Sequence, residues 1–255
     1  MNIVFIGAGR LATHLAKELY KNSYNILQVY SRTMESAYLL ANEIDAVATN
    51  NIQDIPVNAD LYIFSVKDSV LKELISLIPS NKGLWIHTAG SISMDIFEKY
   101  TNRYGVLYPF QTFSKERDLN FREIPVFIEA NNEQDFQILK DLSISLSDKV
   151  YPLSSKKRQY IHLTGVFACN FVNHMYAISE NILKEENIPF EALLPLIDET
   201  ASKVHTLSPI EAQTGPAMRY DENVINKHLV LIENPRLKSI YTLISESIYE
   251  TYNKK

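Results

Sequence analysis

The sequence Gly7-Ala8-Gly9-Arg10-Leu11-Ala12 stands directly after an apolar run, Ile3-Val4-Phe5-Ile6, and opens a helical pattern from Leu11 to Tyr20. Only seven glycines occur in 255 residues, and two of them fall in this one turn. Glycine is tolerated where a backbone bends tightly or must admit another molecule. G-x-G-x-x-A between a strand and a helix is the spacing of a dinucleotide-binding turn. There Gly7 makes the turn, Gly9 lets the backbone approach a pyrophosphate, and Ala12 lets helix and strand pack closely. The helix start at Arg10 and Leu11 offers free N–H groups and partial positive charge to phosphates. The alternative is a tight strand–helix turn with no ligand.

About 20 residues later, where NAD-binding sheets place an acid on the ribose, the chain reads Val29-Tyr30-Ser31-Arg32-Thr33. No acid is present. A guanidinium flanked by the hydroxyls of Ser31 and Thr33 suits a 2′-phosphate, so NADP(H) is predicted over NAD; otherwise Arg32 is a solvated surface charge. Two further segments, Ser65-Val66-Lys67 and Thr88-Ala89-Gly90, follow apolar runs and belong at the carboxyl edge of the sheet, where small residues and backbone amides line a cofactor. Lys67 meets phosphate or substrate charge there, or is a plain surface lysine. Hydride transfer also calls for a proton donor. His87 ends a strand beside this edge and either donates or holds the following turn. Residues 162–174 read as one helix on which Asn170 and His174, four apart, share a face. Asn170 suits a carbonyl or amide anchor and His174 a proton donor, with a hydrogen-bonded bundle histidine as the competing reading.

The elements that must position these residues change character near residue 150. Short β-branched runs alternate with helical patterns up to that point, which argues for an α/β fold with a Rossmann-type, doubly wound, mostly parallel sheet. Beyond 154 the strand signals stop and a period near 3.6 takes over, giving an all-α C-terminal domain. Leu237, Ile240, Tyr241, Ile244, Ile248 and Tyr252 fall on one stripe of the last helix, a core face or a subunit interface. The expected domains are 1–153 for cofactor and 154–255 for substrate and dimerisation. A net charge of −5 with scattered lysines and arginines predicts no nucleic-acid groove and no membrane anchor. The single cysteine, Cys169, excludes an internal disulfide and points to a cytoplasmic protein. No metal-ligand motif occurs, so no metal is predicted.

These motifs together resemble the β-hydroxyacid dehydrogenase type of Rossmann protein, which includes pyrroline-5-carboxylate reductase, ketopantoate reductase and the deazaflavin-dependent NADP oxidoreductases. The chain is more closely similar to a family of Rossmann-like predicted oxidoreductases with a helical C-terminal domain of unknown function. His87-Thr88-Ala89-Gly90-Ser91 matches an HTSG-like stretch, Tyr108-Pro109-Phe110-Gln111-Thr112-Phe113 matches HPLQTF, and Gln213 to Asp221, running on to His228-Leu229, matches LTGPxxRGDxxTVxxHL. Tyr108 stands where that pattern has histidine, and Tyr220 where it has glycine. In the hydroxyacid dehydrogenase relatives a helix like 162–174 carries a lysine four residues before an asparagine; this stretch has no lysine. The resemblance implies substrate contacts from Tyr108, Gln111, Thr112, Thr214 and Arg219. Arg219 either pairs with Asp221 or meets an anionic substrate.

The sequence therefore predicts an NADP-dependent oxidoreductase that reduces a small carbonyl or imine substrate and forms a homodimer. Its rivals are a sensor that holds NADP without turnover and an enzyme passing hydride to a flavin or deazaflavin.

Overall fold

The computed structural model describes residues 1–114 and 117–253. Its strands are β1 (Asn2–Ile6), β2 (Asn25–Tyr30), β3 (Val47–Thr49), β4 (Leu61–Phe64), β5 (Leu84–His87), β6 (Tyr104–Pro109), β7 (Val126–Ala130) and β8 (Val150–Pro152). They form one sheet in the order β3-β2-β1-β4-β5-β6-β7-β8. The first six are parallel neighbours, β7 runs antiparallel to β6, and β8 is parallel to β7. The 3-2-1-4-5-6 order is that of a Rossmann sheet, as the sequence predicts, and its reversal between β1 and β4 creates the crevice where ligands bind.

Strand β1 shows why the sheet is covered on both sides. Ile3 and Phe5 pack with Leu15 and Leu19 of α1 (Arg10–Lys21), Leu40 of α2 (Met34–Glu43) and Leu139. Val4 and Ile6, pointing the other way, pack with Leu71 and Ile75 of α3 (Asp68–Leu77) and with Trp85 and Phe97. The strand's period of 2 delivers its apolar residues to two cores. Helix α4 (Glu133–Leu146) adds Leu139, Leu142 and Leu146 to the first.

The remaining helices are α5 (Ser155–Gly165), α6 (Val172–Glu185), α7 (Leu194–Lys203), α8 (Pro209–Ala212), α9 (Pro216–Arg219), α10 (Glu222–Leu231) and α11 (Pro235–Asn253). Between α5 and α6 the helix is π-wound over Val166–Phe171. The chain divides into two compact units, Met1–His174 and Met175–Lys255. In the second, Pro216 starts α9 and Tyr220 ends it in the left-handed region at φ 50°. That is the conformation a glycine adopts most easily, at the position where the resembled pattern has one. Asp221 caps α10 by accepting from the Val224 N–H at 3.3 Å. Its carboxylate is therefore a helix cap, and no Arg219–Asp221 ion pair forms among the described residues. The α11 stripe from Leu237 to Ile248 lines an apolar cavity of about 400 Å³ within this unit, facing Met175 and Ile178 of α6. No helix among the described residues is long and apolar enough to cross a membrane.

Candidate active site

The turn after β1 is built as its glycines demand. Gly7 has φ +118°, a region that L side chains avoid, and a Cβ there would lie 2.2 Å from the Ser65 carbonyl oxygen. Its N–H donates to the Tyr30 carbonyl at 2.8 Å, tying the turn to the end of β2. Gly9 is the N-terminal cap of α1 and supplies no side-chain cap. A Cβ on Gly9 would meet nothing within 4 Å. The close approach that Gly9 permits is thus toward open space, and the first N–H groups of α1 are left for a ligand. Ala12 is fully buried where the helix meets the sheet.

Around this turn lies a cavity of about 750 Å³ in the first unit. It gathers Gly7, Gly9, Arg10, Leu11, Ser31, Arg32, Ser65, Val66, Lys67, Thr88, Ala89 and Gly90, which the sequence assigned to cofactor, together with Tyr108 and Gln111 from the substrate group. Arg10, Arg32 and Lys67 are exposed and make no ion pair among the described residues. A chain of net charge −5 therefore gathers three cations at this one cleft. The floor is fixed by the Thr88 hydroxyl donating to Ser65 Oγ at 3.2 Å and by the Ser91 hydroxyl bonding to Asp68.

Thr33 is placed differently. Its hydroxyl caps α2 and bonds Ser36 Oγ at 2.9 Å, and Ser36 lines the cleft in its stead. Thr112 is outside the lining and donates its N–H to Gln111 Oε1 at 2.8 Å. His87 is fully buried against Phe97; its Nδ1 accepts the Ala89 N–H at 3.1 Å and its Nε2 sits 3.3 Å from the Ser93 carbonyl. Burial, aided by the Arg158 charge, pushes its pKa down to about 3. The ring is neutral, occupied at both nitrogens, and in position to hold the Thr88–Ser91 turn. Asn170 lies in the π-wound segment and His174 beyond it in α6, so regular α-helical spacing does not relate them; both are exposed and neither lines the cleft. Thr214 borders the apolar cavity of the second unit, and Arg219 ends α9.

The sequence reading assigned no role to His162. This residue of α5 lines the cleft, and its Nδ1 is 3.1 Å from Tyr108 Oη. Its partner Tyr108 is buried, and burial pushes the phenol up to about 12, with Arg158 opposing and Asp68 reinforcing the shift. Helix α5 is held by Arg158, fully buried, which bonds Glu129 at 2.8 Å and the Ala89 carbonyl at 3.2 Å. Only the long-range fold brings these groups together, although Gly90 is a local sign: a Cβ there would strike the His162 ring at 2.6 Å.

A glycine turn at the switch point of a Rossmann sheet defines the class: an α/β protein of the dinucleotide-binding type with a helical C-terminal unit. Residues 2–87 match the family of coenzyme F420-dependent NADP oxidoreductases, and 124–248 match a domain family of unknown function (DUF2520). A protein from Bacteroides fragilis described as a candidate NADP oxidoreductase is 50% identical, with 98% of each chain covered and a TM-score of 0.91. A protein from Thermotoga maritima has a TM-score of 0.81 at 20% identity over 99% of this chain and 100% of the other. A reductive aminase from Aspergillus terreus, in complex with NADPH and ethyl levulinate, has a TM-score of 0.74 at 11% identity over 98% and 94%. At those identities the last two share the fold. A search of curated proteins found no match. The chain belongs to the same family of NADP oxidoreductases as the Bacteroides fragilis protein, with a Rossmann fold followed by a helical C-terminal domain.

Proposed function

We propose that the protein binds NADPH in the cleft around Gly7 and Gly9 and reduces a small carbonyl or imine compound. The single observation behind this reading is the convergence on one cavity of the glycine turn, the α1 N-terminus without a side-chain cap and three cations that make no ion pair among the described residues. The Gly9 backbone and the N–H groups of Arg10 and Leu11 hold the pyrophosphate, with Arg10 adding charge. Arg32 and Ser31 take the 2′-phosphate, and Ser65, Val66, Thr88, Ala89 and Gly90 flank the remainder. When bound, the dihydronicotinamide supplies hydride. Tyr108, Gln111 and Thr112 follow the cofactor wall on the chain and contact substrate, while Asn170, His174, Thr214 and Arg219 are the substrate-side candidates of the helical region. On this reading residues 1–153 serve the cofactor, and 154–255 serve substrate and a homodimer formed through the exposed apolar helix faces.

Fluorescence titration with NADPH and NADH tests the cofactor. The expected result is NADPH preferred, with Arg32→Ala losing roughly tenfold or more for NADPH, consistent with a charge-assisted phosphate contact of about 1.5–3 kcal/mol, and little for NADH. Failure of both nucleotides to bind would end this reading.

A further inference from the structure

We propose that Tyr108 is the proton donor of this site toward a carbonyl substrate, and that His162 returns the proton to it from solvent; this rests on the NADPH reading above. The two side chains meet at 3.1 Å in the same cavity as the glycine turn. Their exposures differ in the sense a relay requires: Tyr108 is 8% exposed, whereas His162 is open to solvent. The pairing is also built into the backbone. His162 packs directly on Gly90, and one turn further along α5 Gly165 admits Phe110, where a Cβ would lie 2.8 Å from the ring. Both contacts press the helix onto the ends of β5 and β6.

Chemistry favours this donor over His87, which is buried and bonded at both nitrogens. The buried phenol keeps its proton at any physiological pH and yields it only to a strongly basic atom, such as the oxygen of a carbonyl that has gained hydride. An imidazole can give a proton from one ring nitrogen and take one at the other. Charged and titratable groups near the pair are Asp68 at the start of α3 and Arg158 of α5, itself paired with Glu129 of β7.

The step balances as follows. The substrate carbon gains a hydride from the dihydronicotinamide, which is oxidised, and the C=O π bond breaks. The substrate oxygen takes the Tyr108 proton, forming an alcohol. The Tyr108 oxygen regains a proton from His162 Nδ1–H, and the imidazole takes a proton from solvent at Nε2. His162 acts through Tyr108 and is a positioning and relay residue.

Tyr108→Phe and His162→Gln test the pair against NADPH with short aldehydes, 2-oxo acids and ethyl levulinate as probes. Tyr108→Phe should bind NADPH as the wild type does and lose roughly 10²–10⁴-fold in kcat. Wild-type kcat should show a solvent deuterium isotope effect, since two protons move along the relay; His162→Gln should lower kcat with little change in KM and alter that isotope effect, which a packing role alone would not do. In the cofactor-free protein, nitrogen NMR of labelled histidine should show the His162 Nδ1 resonance shifting in Tyr108→Phe. Full kcat in Tyr108→Phe, an unmoved Nδ1 resonance, or an isotope effect that is unchanged in His162→Gln and lost in His174→Gln would each overturn the proposal. NADPH binding without turnover of any carbonyl probe would overturn it while leaving the cofactor reading standing, and loss of NADPH binding would remove both.

Discussion

The two compact units solve the burial problem differently. In Met1–His174 both faces of the sheet are sealed, and large side chains such as Trp85, Tyr62 and Arg158 are fully enclosed. In Met175–Lys255 Ala217 alone among the described residues is buried, while Val230 and Leu231 are 79% and 78% exposed. Monomeric proteins rarely leave so many large apolar groups in water. The difference teaches that the first unit contains its own core, whereas the second has apolar faces suited to a partner.

Removing a partner from the sealed interior should give the largest effect. Arg158→Met takes the guanidinium from the Ala89 and Ile92 carbonyls and leaves the Glu129 carboxylate with Ser155 but no counter-charge, and breaking a buried pair costs roughly 3–5 kcal/mol. Urea denaturation should show this loss. Lys203→Met, which breaks the exposed pair with Glu199, should change stability by less than about 1 kcal/mol. Similar losses for the two would erase the contrast between the units.

Acid probes the same interior. His87 has a folded pKa of about 3, below the ordinary 6.5, so the unfolded chain binds the extra proton first. Its contribution is present above about pH 6.5 and is lost as pH falls toward 3. Between pH 6.5 and 5 that is about 2 kcal/mol. Urea midpoints at pH 7 and pH 5 should separate in the wild type and converge in His87→Gln.

The open faces of the second unit should make stability depend on concentration. If the proposed homodimer covers them, each tenfold rise in protein concentration adds about 1.4 kcal/mol. Val230→Glu with Leu231→Glu should abolish that dependence and yield a monomer in sedimentation velocity. A wild-type protein whose melting temperature is independent of concentration would contradict the dimer.

Legibility in the sequence follows the range of the interactions. The β1–α1 turn, the acid-free end of β2 and the small residues after β4 and β5 were readable because strand, turn and helix lie within a dozen residues. Strand β6 carries Gly105 and Pro109, which lower strand propensity, and β3 and β8 are only three residues each, so local pattern marks these strands weakly. Thr33 was misjudged because a threonine before a helix has a second use as its cap. The π-wound turn defeated the α-helical spacing assumed for Asn170 and His174. His162 was invisible as a site residue because its partner is 54 positions away. The imidazole that the resembled motif places at 108 is supplied next to Tyr108 from α5.

Gly9 sharpens the comparison within the sealed unit itself, since it is the place where that unit stays open. Its φ of −77° is ordinary for any residue, and an added methyl meets no atom. Gly9→Ala should therefore cost less than about 1 kcal/mol in stability, the small penalty of alanine at a helix cap. The methyl does occupy the space through which a pyrophosphate would reach the α1 amides, so NADPH affinity should fall by roughly tenfold or more, about 1.4 kcal/mol or above. Calorimetric titration beside a thermal melt separates the two effects. A melt that drops with unchanged affinity would mean that Gly9 serves the turn; unchanged stability with lost affinity would mean that the opening at this glycine exists for the ligand.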